Sequence, residues 1–185
     1  WTEKSDMNTA RRQGAGSGAD NTACLAFGGN APPATAVTES WDGSSWTEVG
    51  DLNTARRGLG GVGTYTAAIA FAGLLANDTK QATAETWNGS AWTEVGDLNT
   101  ARSKNVGIGI YTGALSVGGN PALAITEDWN GASWSEVADL NTGRETMAPA
   151  GTITSGLVSS GTTGTRTTAV EEWSQGQTVK TIDTD

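Results

Sequence analysis

One eleven-residue segment occurs four times in this chain, and its recurrence constrains the fold more than any other feature of the sequence. The copies are WTEKSDMNTAR at 1–11, WTEVGDLNTAR at 46–56, WTEVGDLNTAR at 92–102 and WSEVADLNTGR at 134–144. Their spacing is close to the roughly 40–45 residues of a four-stranded propeller blade. A chain built from such units buries its apolar surface by stacking similar modules around an axis or along a line.

Two further blocks recur with the same period. An apolar run that ends in small residues comes first, as in LAFGG at 25–29, and a Glu-x-Trp block follows, as in ESWDG at 39–43. Every tryptophan belongs to the Glu-x-Trp block or to the eleven-residue segment, and the eight are Trp1, Trp41, Trp46, Trp87, Trp92, Trp129, Trp134 and Trp173. Because they follow the repeat so strictly, we predict that the tryptophans are architectural.

Each repeat is predicted to form four short strands, called A to D in chain order. Strand A is glycine-rich, as at 58–64, and strand B is the apolar run. Strand C ends at one tryptophan and strand D begins at the next, with Asp-Gly or Asn-Gly between them, which favours a tight hairpin. No segment has helical periodicity. We therefore predict an all-β fold, a four-bladed β-propeller of four-stranded antiparallel blades.

These blocks resemble the kelch repeat. That motif has a double glycine after strand B, Glu-x-Tyr-Asp on strand C, a tryptophan at the start of strand D and an arginine ten residues later. The matching residues here are Gly28-Gly29, Glu39-x-Trp41-Asp42, Trp46 and Arg56. Tryptophan replaces the tyrosine, and the glycine pair is Ala-Gly in the second copy and Ser-Gly in the fourth. The resemblance implies a propeller and no single function, because propellers host many.

The predicted blades span about 11–50, 56–97, 102–139 and 144–174, within a single domain over 1–185. The fourth blade has two candidates for its strand D. Residues 1–6 could return as an N-terminal strand and close the ring, which would remove an exposed sheet edge. Alternatively, residues 178–182 could complete the blade, and 1–6 would then belong to a lost or neighbouring blade, as in a fragment or in a ring assembled from two chains.

The composition of the chain disfavours several classes of function. A net charge of −9 and a pI of about 4.4 argue against binding nucleic acid or anionic membranes. The chain has no histidine and one cysteine, Cys24, in an apolar run that predicts a buried structural thiol. Histidine-based catalysis, a zinc site and an internal disulfide are thereby disfavoured, so we expect no cofactor, no metal and no enzyme activity. A hydrolase that uses paired carboxylates stays an alternative.

Four arginines recur once per repeat: Arg11, Arg56, Arg102 and Arg144. They could form a ring of cations that binds an acidic ligand, or they could pack between blades against backbone carbonyls and the glutamates of strand C. Strict recurrence favours the structural role. We therefore predict that ligand-binding residues lie outside the strict repeat, on the face that carries the B–C and D–A loops. They are Arg12, Asn30, Arg57, Lys80, Asn120 and Arg166.

The resulting functional hypothesis is a non-enzymatic binding or structural propeller. Its partner would be a protein or a surface glycan, without membrane insertion, and the chain could form a homo-oligomer or part of a larger assembly. The near-identical repeats also resemble kelch-like proteins of marine bacteriophages. That resemblance implies a virion or tail attachment component, located in the virion or outside the cell.

Overall fold

The computed structural model describes residues 1–175, which contain fifteen β-strands and no helix. The strands form four antiparallel sheets, and each sheet is one sequence repeat. The first strands of adjacent sheets pack together, β1 (Ala15–Asp20) on β5 (Gly60–Gly63), β5 on β9 (Val106–Ile110) and β9 on β13 (Ala148–Gly151). All four line one central channel. The chain is a four-bladed β-propeller, so the predicted fold class is confirmed.

The remaining strands follow outward from the axis. Blade 1 continues with β2 (Ala23–Phe27), β3 (Thr38–Trp41) and β4 (Trp46–Glu48), and blade 2 with β6 (Ala68–Phe71), β7 (Ala84–Trp87) and β8 (Trp92–Glu94). Blade 3 continues with β10 (Gly113–Gly119), β11 (Leu123–Trp129) and β12 (Trp134–Glu136), and blade 4 with β14 (Ser155–Ser159) and β15 (Val170–Ser174). Strand order within every sheet is the chain order, so each blade is a simple meander.

The C–D hairpins form as the sequence predicts. In blade 1, Trp41 pairs with Trp46, and Gly43 adopts a φ of 94° that glycine tolerates best. The Asp42 carboxylate accepts hydrogen bonds from the backbone N–H groups of Ser44 and Ser45. These bonds, led by that of Ser45, lower the pKa of Asp42 to about 2. Asn88 and Asn130 close the other hairpins in the same way, so a short polar side chain fixes each turn.

Tryptophan has two structural positions, and each has its own contacts. The strand C indole donates its Nε1–H to a carbonyl in the A–B turn of its own blade, as Trp87 does to Tyr65 at 3.0 Å. The strand D indole packs across the seam to the preceding blade. Trp92 lies edge-on to Phe27 with ring centroids 4.9 Å apart, and Trp134 meets Phe71 at 5.0 Å. Aromatic contacts therefore fill the seams between blades 1 and 2 and between blades 2 and 3.

Glycine is required where strand A of one blade approaches the next. A Cβ added to Gly61 would lie 2.6 Å from the Phe27 ring, and one added to Gly107 would lie 2.6 Å from Val62. Since real Cβ contacts are never that short, the blades pack as closely as they do only because these side chains are missing. The glycine richness of strand A thus reflects crowding near the axis, as the sequence predicts.

Blade 4 differs from the other three. Its sheet has three strands within residues 1–175, and residues 1–6 form no strand, so closure by an N-terminal strand stays a prediction. Backbone hydrogen bonds join blades 1–2, 2–3 and 3–4, for example from Gly29 to Arg56 and from Gly119 to Arg144. Within the described residues no hydrogen bond joins blade 4 to blade 1. The alternative strand at 178–182 lies outside the described residues.

One polar atom in the aromatic seams lacks a partner. Trp92 Nε1 donates to Thr38 Oγ1 at 3.0 Å, but the equivalent of Thr38 in the next blade is Ala84, and the buried Nε1 of Trp134 has no acceptor in the described chain. We expect Ala84→Thr to stabilise the protein by about 1 kcal/mol, because it supplies the missing acceptor. Chemical denaturation measures this. Ala84→Val, which has the same shape and no hydroxyl, should give no such gain, and an equal gain from both variants would contradict the explanation.

Candidate functional site

The repeated segment that ends in arginine connects each blade to the next. Asn53 lies in the segment that follows strand D of blade 1. It donates its backbone N–H and its side-chain amide to Glu85 on strand C of blade 2, at 2.7 and 2.8 Å. The same amide also donates to the carbonyl of Trp92. Arg56 follows three residues later and pairs with the other oxygen of Glu85 at 3.0 Å. The Glu85 carboxylate therefore holds the connecting segment against the following blade through both of its oxygens.

This arrangement repeats at every blade. The pairs are Arg11–Glu39, Arg56–Glu85, Arg102–Glu127 and Arg144–Glu171. Both side chains are fully buried in the pairs of blades 2 and 3. Burial lowers the pKa of the Arg56 and Arg102 guanidinium groups, and the attraction of the paired glutamate opposes that shift. These four cations have the contacts of the structural alternative, and they are not available to an acidic ligand.

The six residues predicted as ligand contacts lie on one face of the ring. Short β-bridges between the D–A connections and the B–C loops place them there: Arg12 with Asn30, Leu74 with Arg57 and Lys80, Ser103 with Asn120, and Thr162 with Arg166. Two of the six are engaged within the protein, because Arg57 pairs with Asp78 and Asn120 donates to Glu145. No side-chain hydrogen bond or ion pair within residues 1–175 engages Arg12 or Arg166. That this face binds a ligand stays a prediction.

A small charged cluster on this face joins three blades. Lys104 of blade 3 pairs with Glu145 of blade 4 at 2.9 Å, and Asn120 donates to the second oxygen of that carboxylate. Burial raises the pKa of Glu145, but the hydrogen bonds from Lys104 and Asn120 and the charges of Lys104 and Lys80 outweigh it, so the pKa is lowered. Lys80 is thus close enough to Glu145 for its charge to matter. Glu145 thus neutralises one of the two lysine charges in the cluster, and a net charge of +1 is left.

The large concavity of the molecule opens on the opposite face. It is the central channel, with a volume of about 590 Å³, and its lining comes from the later half of strand A in all four blades, including Gly16–Asp20, Gly61–Gly63, Gly107–Gly109 and Pro149–Gly151. None of the six predicted ligand residues lines it. Each strand A is the inner edge of its sheet, and an edge strand has backbone N–H and C=O groups without ladder partners. The channel wall is therefore rich in free backbone donors and acceptors.

At the other end of the channel, backbone segments hydrogen-bond to one another around the axis and narrow the opening. Gly58 N donates to the Gln13 carbonyl, Lys104 N to Gly58 and Thr146 N to Lys104, at 2.7–3.0 Å. All four residues have φ values between 54° and 60°, so one residue in the left-handed conformation precedes strand A in every blade. The channel is consequently approached from the face of the A–B turns.

Two exposed aromatic side chains belong to the A–B turns on this face. Tyr65 and Tyr111 occupy the same position of the A–B turn in blades 2 and 3, directly after strand A segments that line the channel. They are the only tyrosines of the chain, and 46% and 39% of their surfaces are exposed. The carbonyls of Tyr65 and Tyr111 are held by Trp87 and Trp129, so the turns themselves are fixed. Sequence reasoning missed both residues, although equal positions in two repeats could have shown them.

Cys24 is only half-buried and lines the channel, so the prediction of a buried thiol is corrected. Partial burial raises its pKa, which keeps the thiol protonated at neutral pH. Asp20 is the one carboxylate in the lining. In residues 1–175 no group of three or more potential metal ligands comes together. That part of the chain also has no helix long and apolar enough to cross a membrane.

No protein-family model matches the chain, and no curated protein is similar to it in sequence. The repeat geometry and the channel are therefore the basis for a functional proposal.

Arg56 and Arg57 are adjacent in the chain, but Arg56 belongs to a buried ion pair and Arg57 to an exposed one. We expect Arg56→Met to lower the free energy of unfolding by about 3–5 kcal/mol, because it leaves Glu85 buried without its cation. Arg57→Met should cost less than about 1 kcal/mol, because Asp78 is largely exposed. Urea denaturation of both variants checks this. Similar costs for the two variants would show that the Arg56 pair does not hold the blades together.

Proposed function

We propose that this protein is a non-enzymatic binding module that recognises a neutral surface glycan at the mouth of its central channel. The observation that carries the proposal is the combination of four inner strand edges with two exposed tyrosines on the same face. A volume of about 590 Å³ lies within the range of ligand pockets, roughly 300–1,000 Å³.

The chemistry of the lining favours a glycan. Unpaired backbone N–H and C=O groups match a ligand with many hydroxyls, each able to donate and accept. Tyrosine adds a flat apolar ring with a polar tip, which suits the C–H faces of a sugar. The lining holds no lysine or arginine, so an anionic ligand would find no charge partner there.

A carboxylate-dependent hydrolase has less support. Glycoside hydrolysis generally needs two carboxyl groups about 5–10 Å apart. Asp20 is the single carboxylate of the channel lining, and the strand C glutamates are committed to arginines between the blades. Binding without turnover is the better match to these residues.

The virion or tail assignment is a finer part of the proposal. It is supported by the resemblance of the repeats to kelch-like proteins of marine bacteriophages. Mass spectrometry of purified particles that encode the chain should find it as a particle component, and its absence from assembled particles would overturn this part while leaving glycan binding intact.

A glycan array, followed by titration calorimetry with the best neutral glycan, tests the site. We expect each of Tyr65→Ala and Tyr111→Ala to weaken binding by up to about tenfold, since loss of an aromatic contact costs roughly 0.5–1.5 kcal/mol. The control is Arg57→Ala with Lys80→Ala on the opposite face, which should leave affinity unchanged. The reverse pattern would place the site on the B–C and D–A loops. Incubation with chromogenic glycosides should release no product.

A further inference from the structure

Within residues 1–175, no strand D tryptophan fills the seam between blades 3 and 4, as one does in the two seams before it. In those seams a strand D tryptophan packs on a strand B side chain of the preceding blade, as Trp92 packs on Phe27 and Trp134 on Phe71. Both indoles are nearly fully buried. The equivalent strand B residue of blade 3 is Val117, but the described residues of blade 4 contain no strand D that could bring an indole against it.

A partly open cavity of about 210 Å³ lies where that indole would be. Its wall includes Leu115, Val117, Leu140 and Trp173, which correspond to Leu25, Phe27, Leu52 and Trp87 around Trp92. Thr126 also lines it, at the position from which Thr38 accepts the Nε1–H of Trp92. An apolar cavity of about 150 Å³ is large enough for benzene, so this one has room for an indole. The cavity wall therefore has the apolar side chains that surround Trp92 and, in Thr126, an acceptor for the indole N–H.

The strand edge beside the cavity is also free. Strand C pairs with strand D in blades 1 to 3, but β15 has no partner on its outer side within residues 1–175. An unpaired edge favours addition of a further strand, because its backbone groups lack ladder bonds. By the register of β3 with β4, an added strand would place its tryptophan opposite Trp173 and its next residue opposite Glu172.

We propose that this cavity and the β15 edge form a docking site for Trp1–Glu3 of the same chain, which would complete blade 4 as its strand D. Trp1 is fully exposed as it stands. The segment after it already has the contacts that follow a strand D, because Asn8 donates to Glu39 and to the Trp46 carbonyl as Asn53 does to Glu85 and Trp92. The asparagine lies seven positions after the tryptophan in both cases.

Two other occupants are distinguishable from this one. Counting five residues on from Trp173, as from Trp41 to Trp46, reaches Thr178, whose side chain is too small to fill the cavity. A second copy could supply its own Trp1, but a segment tethered to the same molecule has a high effective concentration. Docking of the same chain brings blade 4 against blade 1, where Trp46 is still partly exposed. The site lies away from the channel mouth and does not depend on the proposed glycan.

Cysteine cross-linking tests the docking. In a Cys24→Ser background, Thr2→Cys with Glu172→Cys should form a disulfide in mild oxidant, because opposed residues of antiparallel strands lie at Cα distances that disulfides accept. We expect a cross-linked monomer, identified by mass spectrometry and light scattering. The matched control is Thr2→Cys with Ser135→Cys, on the outer strand of blade 3, whose strand C is already paired; it should cross-link at least about tenfold less.

A second comparison tests the role of the indole. Adding Trp1→Ala to the Thr2–Glu172 cysteine pair should lower the yield by about tenfold, and Trp1→Phe should restore part of it. Circular dichroism verifies that every variant is folded. Cross-linked dimers in place of monomers would overturn the proposal in favour of a second copy. A yield no higher than that of the control pair, or one that Trp1→Ala leaves unchanged, would overturn it as well.

Discussion

The ion pair between blades is the interaction on which the rest of this structure depends. Each strand C glutamate accepts a hydrogen bond from the backbone N–H of the incoming asparagine with one oxygen and pairs with the incoming arginine through the other, as Glu85 does with Asn53 and Arg56. Three of the four arginines have fully buried side chains, and the fourth is nearly so. A buried charge without its partner is costly, so these pairs favour the one position of each blade in which the charges meet.

That fixed position explains the other repeated features. It brings strand D tryptophans onto the apolar side chains of the preceding blade, and it brings adjacent strands A so close that Gly61 and Gly107 have no room for a Cβ. Small blades have small cores of their own, so most of the apolar burial occurs at the seams. Stability and blade orientation are therefore determined by the same contacts.

The same geometry leaves two places unfilled. The inner edges of the strands A surround a channel with free backbone groups, and the proposed glycan would supply their partners. The seam between blades 3 and 4 has an apolar cavity beside an unpaired strand, and the proposed Trp1–Glu3 strand would fill it. Equivalent positions in the four blades have equivalent contacts, so a position that lacks its usual contact indicates a site where a ligand or a further strand can bind.

The sequence by itself determined the fold class, the strand pattern and the turns, because Trp, Asp-Gly or Asn-Gly, and Arg recur at fixed spacing and act through local or once-per-blade contacts. It also indicated why strand A is rich in glycine. Only the tertiary structure decided which face is concave, since the channel arises where four distant strand edges meet, and the exposed Tyr65 and Tyr111 belong to A–B turns on that face. It also showed where the ring is incomplete within residues 1–175, at the outer edge of β15, because closing a ring depends on the angles of every seam together and no local pattern encodes their sum.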